Sequence, residues 1–200
     1  MIIIGITGTL GAGKGTIVDY LTTAKGFNHF SVRGFLITEI NKRGLPVNRD
    51  SMTAVANELR AGNSPSYITD QLYEMARTTG GNCVIESIRT PGEIDSLRKK
   101  GRFYLFAVDA KTELRFNRIK QRASETDHID FETFIANEKR EMTTDDPNNQ
   151  NLKRCIEMAD FVIENNGTQE QLIEKVAAVL SKIDHDNDSK NLSRLYCCRH

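Results

Sequence analysis

The chain has 200 residues, 38% of them hydrophobic and 27% charged, which suits one soluble domain with a buried core. Lysine plus arginine and aspartate plus glutamate both number 27, so the formal net charge is zero. That balance excludes a general nucleic-acid coat or an acidic-membrane binder, both of which need a cationic excess. No apolar run approaches the roughly 18 residues of a membrane span, and Met1-Ile2-Ile3-Ile4 lacks the basic flank of a signal peptide. Cys83, Cys155 and the pair Cys197-Cys198 show neither metal spacing nor a disulfide framework. A reduced, cytoplasmic protein is expected, monomeric or homodimeric, with no nucleic-acid or membrane partner.

In chain order, Ile2–Thr7 is a β-branched run that predicts a strand, followed by glycines and a helix with Ile17, Val18, Leu21 and Ala24 on one face. Asn28–Ser31 predicts a short second strand. From Gly34 to Thr79 the pattern is helical, broken by Gly44-Leu45-Pro46 and Gly62-Asn63-Ser64-Pro65. Cys83–Ile88 predicts a buried strand, and Thr90-Pro91-Gly92-Glu93 predicts a helix opened by a capping box with proline at its first position. Phe103–Val108 is a third long apolar strand, Lys111–Arg122 a helix, and Phe131, Phe134, Ile135 and Met142 the buried stripe of another. Phe161–Glu164 is a final strand. Thr168 and Gln171 repeat the capping-box logic before a last helix with Leu172, Ile173, Val176, Leu180 and Ile183 inward. The polar residues 184–200 predict a disordered tail. Five strands alternating with helices mean βαβ units, a mostly parallel sheet and helices on both faces.

The strongest signal is Gly8-Thr9-Leu10-Gly11-Ala12-Gly13-Lys14-Gly15-Thr16, which follows a strand and opens a helix. Its glycines let successive amides turn inward at a helix N-terminus, forming an anion nest, and Lys14 can bridge β- and γ-phosphates. Nucleoside-triphosphate binding is the expectation. A GTPase would carry Asn-Lys-x-Asp, but Asn41-Lys42 continues as Arg43-Gly44. A large AAA motor carries Asp-Glu after its second acidic strand, where this chain has Glu86-Ser87. A small-molecule kinase remains.

The GxGKGT form resembles the phosphate loop of adenylate kinases and their relatives, and the resemblance covers Met1 to Ile183 in order of elements. It implies a three-layer α/β/α phosphate-loop NTPase fold over residues 1–183. A helical acceptor-binding insertion would lie at about 32–79 and a short lid at about 123–142. ATP would be the donor, magnesium the cofactor, and the acceptor a small phosphorylated molecule, foremost a nucleoside monophosphate. The segment Val84-Ile85-Glu86-Ser87-Ile88-Arg89-Thr90 is similar to the family's Asp-Gly-Phe-Pro-Arg-Thr motif but one residue shorter. By that resemblance Arg89 grips acceptor phosphate, Thr16 and Glu86 organise magnesium, and Arg33 and Arg49 are further acceptor contacts. Where adenylate kinases read adenine with glutamine, this chain has Glu93, which also serves as the capping-box acid; AMP is thereby disfavoured. Lys111, Arg115, Arg118 and Arg122 share a helical face. Arg118 and Arg122 are expected to clamp the transferring phosphoryl group with Lys14, with Arg140 as a closing contact.

Dephospho-coenzyme A kinases share this plan. The stretch Met158–Thr168 resembles their adenine-side loop, which marks Asn166 and Gly167 as ATP contacts. The chain lacks their Asp pair after the second strand, and His29 there reads as a structural polar residue. A dephospho-coenzyme A kinase-like enzyme and a non-catalytic ATP sensor are the alternatives. The nearest resemblance is to the kinase-like region joined, in some proteins, to a deoxycytidylate deaminase, although no His-x-Glu or Pro-Cys-x-x-Cys is present.

Overall fold

The computed structural model describes residues 1–122 and 129–197, with side-chain surroundings through residue 185. Five parallel strands form one sheet in the order β2-β3-β1-β4-β5. They are β1 (Ile2–Gly8), β2 (Asn28–Ser31), β3 (Cys83–Glu86), β4 (Arg102–Asp109) and β5 (Phe161–Glu164). The chain runs α1 (Lys14–Lys25) after β1, and α2 (Val32–Lys42), α3 (Arg49–Gly62) and α4 (Tyr67–Thr79) between β2 and β3. Then come α5 (Pro91–Lys99), α6 (Thr112–Arg122), α7 (Phe131–Met142), α8 (Leu152–Glu157) and α9 (Gln169–Cys197). The expected α/β architecture, with helices on both faces of a parallel sheet, is the one observed.

Strand alternation sorts the core into two layers. Ile4 and Ile6 of β1 pack with Ile17 and Leu21 of α1 and Leu172 and Val176 of α9. Ile3, on the opposite face, joins Leu36, Val55, Ile68 and Leu97 from the helices between β2 and β4. Gly5 lies on that second face, where a Cβ would stand 2.6 Å from Ile88 and Phe103. A glycine at the sheet centre thus lets the Phe103 ring cross β1.

Both expected capping boxes form. Thr90 Oγ1 accepts from the Glu93 amide at 3.3 Å while Glu93 Oε2 accepts from the Thr90 amide at 3.1 Å. Thr168 Oγ1 accepts from the Gln171 amide at 3.3 Å and Gln171 Oε1 from the Thr168 amide at 3.1 Å.

Three expectations need correction, and one element is new. Ala24 is exposed on α1. Phe134 is the buried member of the α7 stripe, whereas Phe131 is 42% exposed; the two rings pack against Phe116 of α6 rather than a closed core, with centroids 5.1 and 5.5 Å from it. The short helix α8 had no sequence signal, since its six residues hold too little periodicity. Last, α9 continues through residues 184–197, where a disordered tail was expected. Elongating a helix from a packed segment costs far less than nucleating one, so polar composition alone does not end it. Residues 198–200, and the first part of the expected lid at 123–128, lie outside the described residues.

Candidate functional site

In a parallel sheet the C-terminal strand edges open onto one crevice, and the ends of β1, β3 and β5 meet there. The crevice is a cleft of about 770 Å³ whose walls include the loop after β1, the segment after β3, α2, α3, α6 and the start of α9.

The loop after β1 is built by three left-handed glycines: Gly8 at φ 137°, Gly11 at φ 77° and Gly13 at φ 106°. A Cβ on Gly8 would overlap the Val108 carbonyl oxygen, and one on Gly11 would lie 2.5 Å from the Arg115 carbonyl oxygen. A Cβ on Gly13 would overlap the Asn165 side-chain amide. These positions therefore need glycine for space as well as for dihedral freedom. Gly13 is the N-cap of α1 and supplies no side-chain acceptor, and no acidic residue stands in the first turn. The first amides of α1 and the positive end of its dipole thus have neither a side-chain cap nor an acidic residue in their own turn.

Leu10, Gly11, Gly13, Lys14, Gly15 and Thr16 line the cleft, while Gly8, Thr9 and Ala12 stand behind them. Thr9 Oγ1 donates to Asp109 Oδ1 at 2.5 Å. Lys14 folds back over the loop and donates from Nζ to the Gly8 and Thr9 carbonyl oxygens at 2.9 and 2.8 Å. Burial foremost, then the neighbouring Arg89 and Arg122 charges, bring its pKa down to about 7 against the opposing pull of Glu86 and Glu141.

The segment after β3 begins with Glu86, whose Oε2 lies 3.2 Å from His29 Nε2. Burial alone would raise the Glu86 pKa. The His29 hydrogen bond and the charges of Lys14, His29 and Arg89 outweigh it and hold the carboxyl below its ordinary value. Ser87 follows at φ 73°, the left-handed exception among described non-glycine residues. The turn is stapled, because the Ser87 and Ile88 amides both donate to the Ile6 carbonyl at 3.0 Å. Thr7 Oγ1 also donates to the Ile88 carbonyl at 2.8 Å. That staple compresses the motif by its missing residue and still delivers Arg89 to the cleft.

Arg89 donates to Glu141 Oε2 at 2.7 Å, and Arg49 Nη1 lies 3.8 Å from Glu141 Oε1. One carboxylate from the end of α7 therefore spans two of the expected acceptor contacts. Arg33, Arg118 and Arg122 also line the cleft. Arg118 donates to the Asn165 and Gly167 carbonyl oxygens at 3.0 and 3.3 Å. Arg140 reaches Asp50 at 3.2 Å, outside the cleft lining.

The expected stripe on α6 is divided. Arg115 is 3% exposed and donates to the Ala110 carbonyl at 2.7 Å and to Glu138 of α7. It is a buried brace between α6 and α7, not a phosphate contact. Asn166 Oδ1 accepts from the Lys111 amide and does not line the cleft. The lining asparagine is Asn165, whose Nδ2 donates to the Ala12 carbonyl at 2.8 Å and ties the phosphate loop to the end of β5. Its signal in sequence was adjacency to Asn166 and nothing more. Arg60 and Glu141 also had none: neither belongs to a short motif.

Thr16 and Glu86 line the same cleft, but no cluster of three or more potential metal ligands exists among the described residues. A hard cation would need substrate phosphates to complete its oxygen shell, the arrangement magnesium favours. Among the described residues, no helix is long and apolar enough to cross a membrane.

Comparison with solved structures finds the same architecture elsewhere. TT1252 from Thermus thermophilus matches with a TM-score of 0.58 and 21% identity, covering 90% of this chain and 97% of its own. A gluconokinase from Sinorhizobium meliloti 1021 matches with a TM-score of 0.58 and 14% identity, covering 100% and 98%. Shikimate kinase from Aquifex aeolicus matches with a TM-score of 0.51 and 13% identity, covering 92% and 98%. These likenesses show the phosphate-loop kinase fold. In sequence, a UPF0200 protein of Methanocaldococcus jannaschii is 28% identical over 193 residues, 92% of this chain and 91% of its own. A UPF0200/UPF0201 protein of Archaeoglobus fulgidus is 30% identical over 150 residues, 72% of this chain but 45% of that longer protein. The AAA domain family matches residues 4–144, a span that holds the phosphate loop, Glu86, Arg89 and Glu141 together, and the chain belongs to that family.

Proposed function

We propose that the protein is a phosphotransferase that moves the γ-phosphoryl group of ATP to a phosphorylated small molecule, with a nucleoside monophosphate as the acceptor. The observation that carries this reading is one cleft lined by two sets of cations: Lys14 beside the open α1 amides, and Arg49 and Arg89, which share Glu141. The helices α2–α4 would form the acceptor side and α7 the moving edge of a lid. The fold of kinases and the AAA domain match agree with a nucleotide at the loop.

In this reading the loop amides and Lys14 hold the donor phosphates, while Arg118 and Arg122 stabilise charge on the transferring group. Magnesium, when bound, would neutralise the β- and γ-oxygens, with Thr16 and Glu86 as the protein groups beside it. Glu86, held below its ordinary pKa, is an ionised carboxylate beside Lys14, and this reading assigns it no proton transfer. None is needed if the attacking atom is a phosphate oxygen, already ionised at neutral pH. This reading therefore takes an acceptor that attacks through its phosphate over one that attacks through a hydroxyl, such as dephospho-coenzyme A. The kinship with deaminase-joined kinase-like regions stays part of this proposal.

The test is ATP consumption across monophosphates, deoxymonophosphates and dephospho-coenzyme A. ADP release dependent on one monophosphate is expected, and it should fall by more than a hundredfold in Lys14→Ala with the fold intact by circular dichroism. ATP binding with no turnover on any acceptor would leave a sensor module instead.

A further inference from the structure

Arg60 is 1% exposed, yet it belongs to the cleft wall. Its Nε and Nη2 donate to Glu93 Oε1 at 3.3 and 2.9 Å. Its Nη1 is buried and has no hydrogen-bond partner among the described residues. A guanidinium N–H left unmatched in a buried setting is costly, so such a group marks a place where a ligand atom belongs. Glu93 cannot share that task. Its Oε2 accepts from the Arg89 and Thr90 amides at 2.7 and 3.1 Å, which with the two Arg60 bonds fills the roughly four acceptor sites of a carboxylate. Beside Arg60, then, the Nη1 donor stays open while Glu93 has no acceptor site left.

Position decides what would meet it. Arg49, Thr53, Ala56 and Arg60 recur at helical spacing along α3 and all line the cleft. Arg60 stands about 16 Å along the axis from Arg49, at about 1.5 Å per residue. Between them the wall is largely apolar, made by Val32, Leu36, Met52 and Ala56, with Thr53 donating back to the Arg49 carbonyl. The Arg49 cation, a largely apolar stretch and the fixed Arg60 donor thus follow one another along α3.

We infer that Arg60 is a specificity-determining residue: the acceptor carries, at the end away from its phosphate, a carbonyl or carboxylate oxygen that receives the Arg60 Nη1 hydrogen. This rests on the proposed reading of the cleft as a kinase acceptor site. Two sources supply such an oxygen, a nucleobase carbonyl or the carboxylate of a phosphorylated sugar acid. Adenine is the common base with no carbonyl to receive that hydrogen.

The experiment is steady-state kinetics with ATP and, in parallel, CMP, UMP, dTMP, GMP, AMP and 6-phosphogluconate. A carbonyl-bearing monophosphate or 6-phosphogluconate should exceed AMP in kcat/KM on the order of 10-fold or more. Turnover confined to the monophosphates would assign the oxygen to a base, and turnover of 6-phosphogluconate would assign it to a carboxylate. Arg60→Lys, which keeps a cation beside Glu93 but loses the fork, should raise the KM of that acceptor on the order of 10-fold, leaving kcat and the KM of ATP within about twofold. If Arg60→Lys melts early, the paired Arg60→Met with Glu93→Gln removes the charges together and serves the same comparison. AMP turned over as well as the others, or an acceptor KM untouched by both variants, would overturn the inference while leaving a kinase. No turnover with any acceptor would overturn both.

Discussion

Lys14 does two incompatible things, and the conflict is measurable. Its ammonium is held by two loop carbonyls among arginines, and burial brings its pKa down to about 7. Below pH 7 it is protonated in both folded and unfolded chains, so the folded state carries the full cost of the buried cation. Between about 7 and the ordinary value of 10.5 the unfolded chain holds a proton the folded one has shed, and stability rises with pH across that window. The urea midpoint of the protein, compared with that of Lys14→Met, should therefore climb from pH 7 to pH 9. Bound polyphosphate reverses the balance, so ATP binding at pH 8 should take up a proton, read by calorimetry in buffers of different ionisation enthalpy; Lys14→Met should show no uptake. The role of Lys14 was legible because loop, lysine and helix start are contiguous. Asn165, Arg60 and Glu141 were not, because each acts on a residue at least 33 positions away.

At the scale of elements, local rules predicted what local forces decide. The two capping boxes formed because cap and acid are three residues apart and satisfy each other's amides. The same rules could not see that Glu93 also neutralises a buried arginine from α3 or steadies the Arg89 amide. Nor could helical periodicity distinguish Arg115, braced against Glu138, from Arg118 three residues on. Glu93→Ala should accordingly lose far more than a cap. It strands the Arg60 charge in the core, and a destabilisation of about 3–5 kcal/mol is expected from urea unfolding. A loss near 1 kcal/mol, the value of an N-terminal cap alone, would show that Arg60 finds another partner.

For the whole molecule, the parallel sheet and the helices on its two faces followed from strand–helix alternation, while the strand order and the relation of α7 to the cleft did not. Helix α7 meets α6 through Phe134 against Phe116 and Glu138 against Arg115, and the cleft through Glu141 against Arg49 and Arg89. The last contact sets an anion where the proposed acceptor phosphate would bind. Acceptor and Glu141 then compete for the same arginines. Glu141→Gln should lower the acceptor KM several-fold, with the ATP KM unchanged and the acceptor off-rate measured by stopped flow reduced. An acceptor KM raised by this change would mean that Glu141 orients the arginines rather than occupying their place.

Gly8 ends the strand and begins the loop, and only a hydrogen fits against the Val108 carbonyl there. Sheet closure and anion capture thus share one residue's tolerance. Any bulkier side chain would pry β1 from β4 and uncurl the nest in the same act, so damage at that point is indivisible, and no compensating change confined to either partner would mend both.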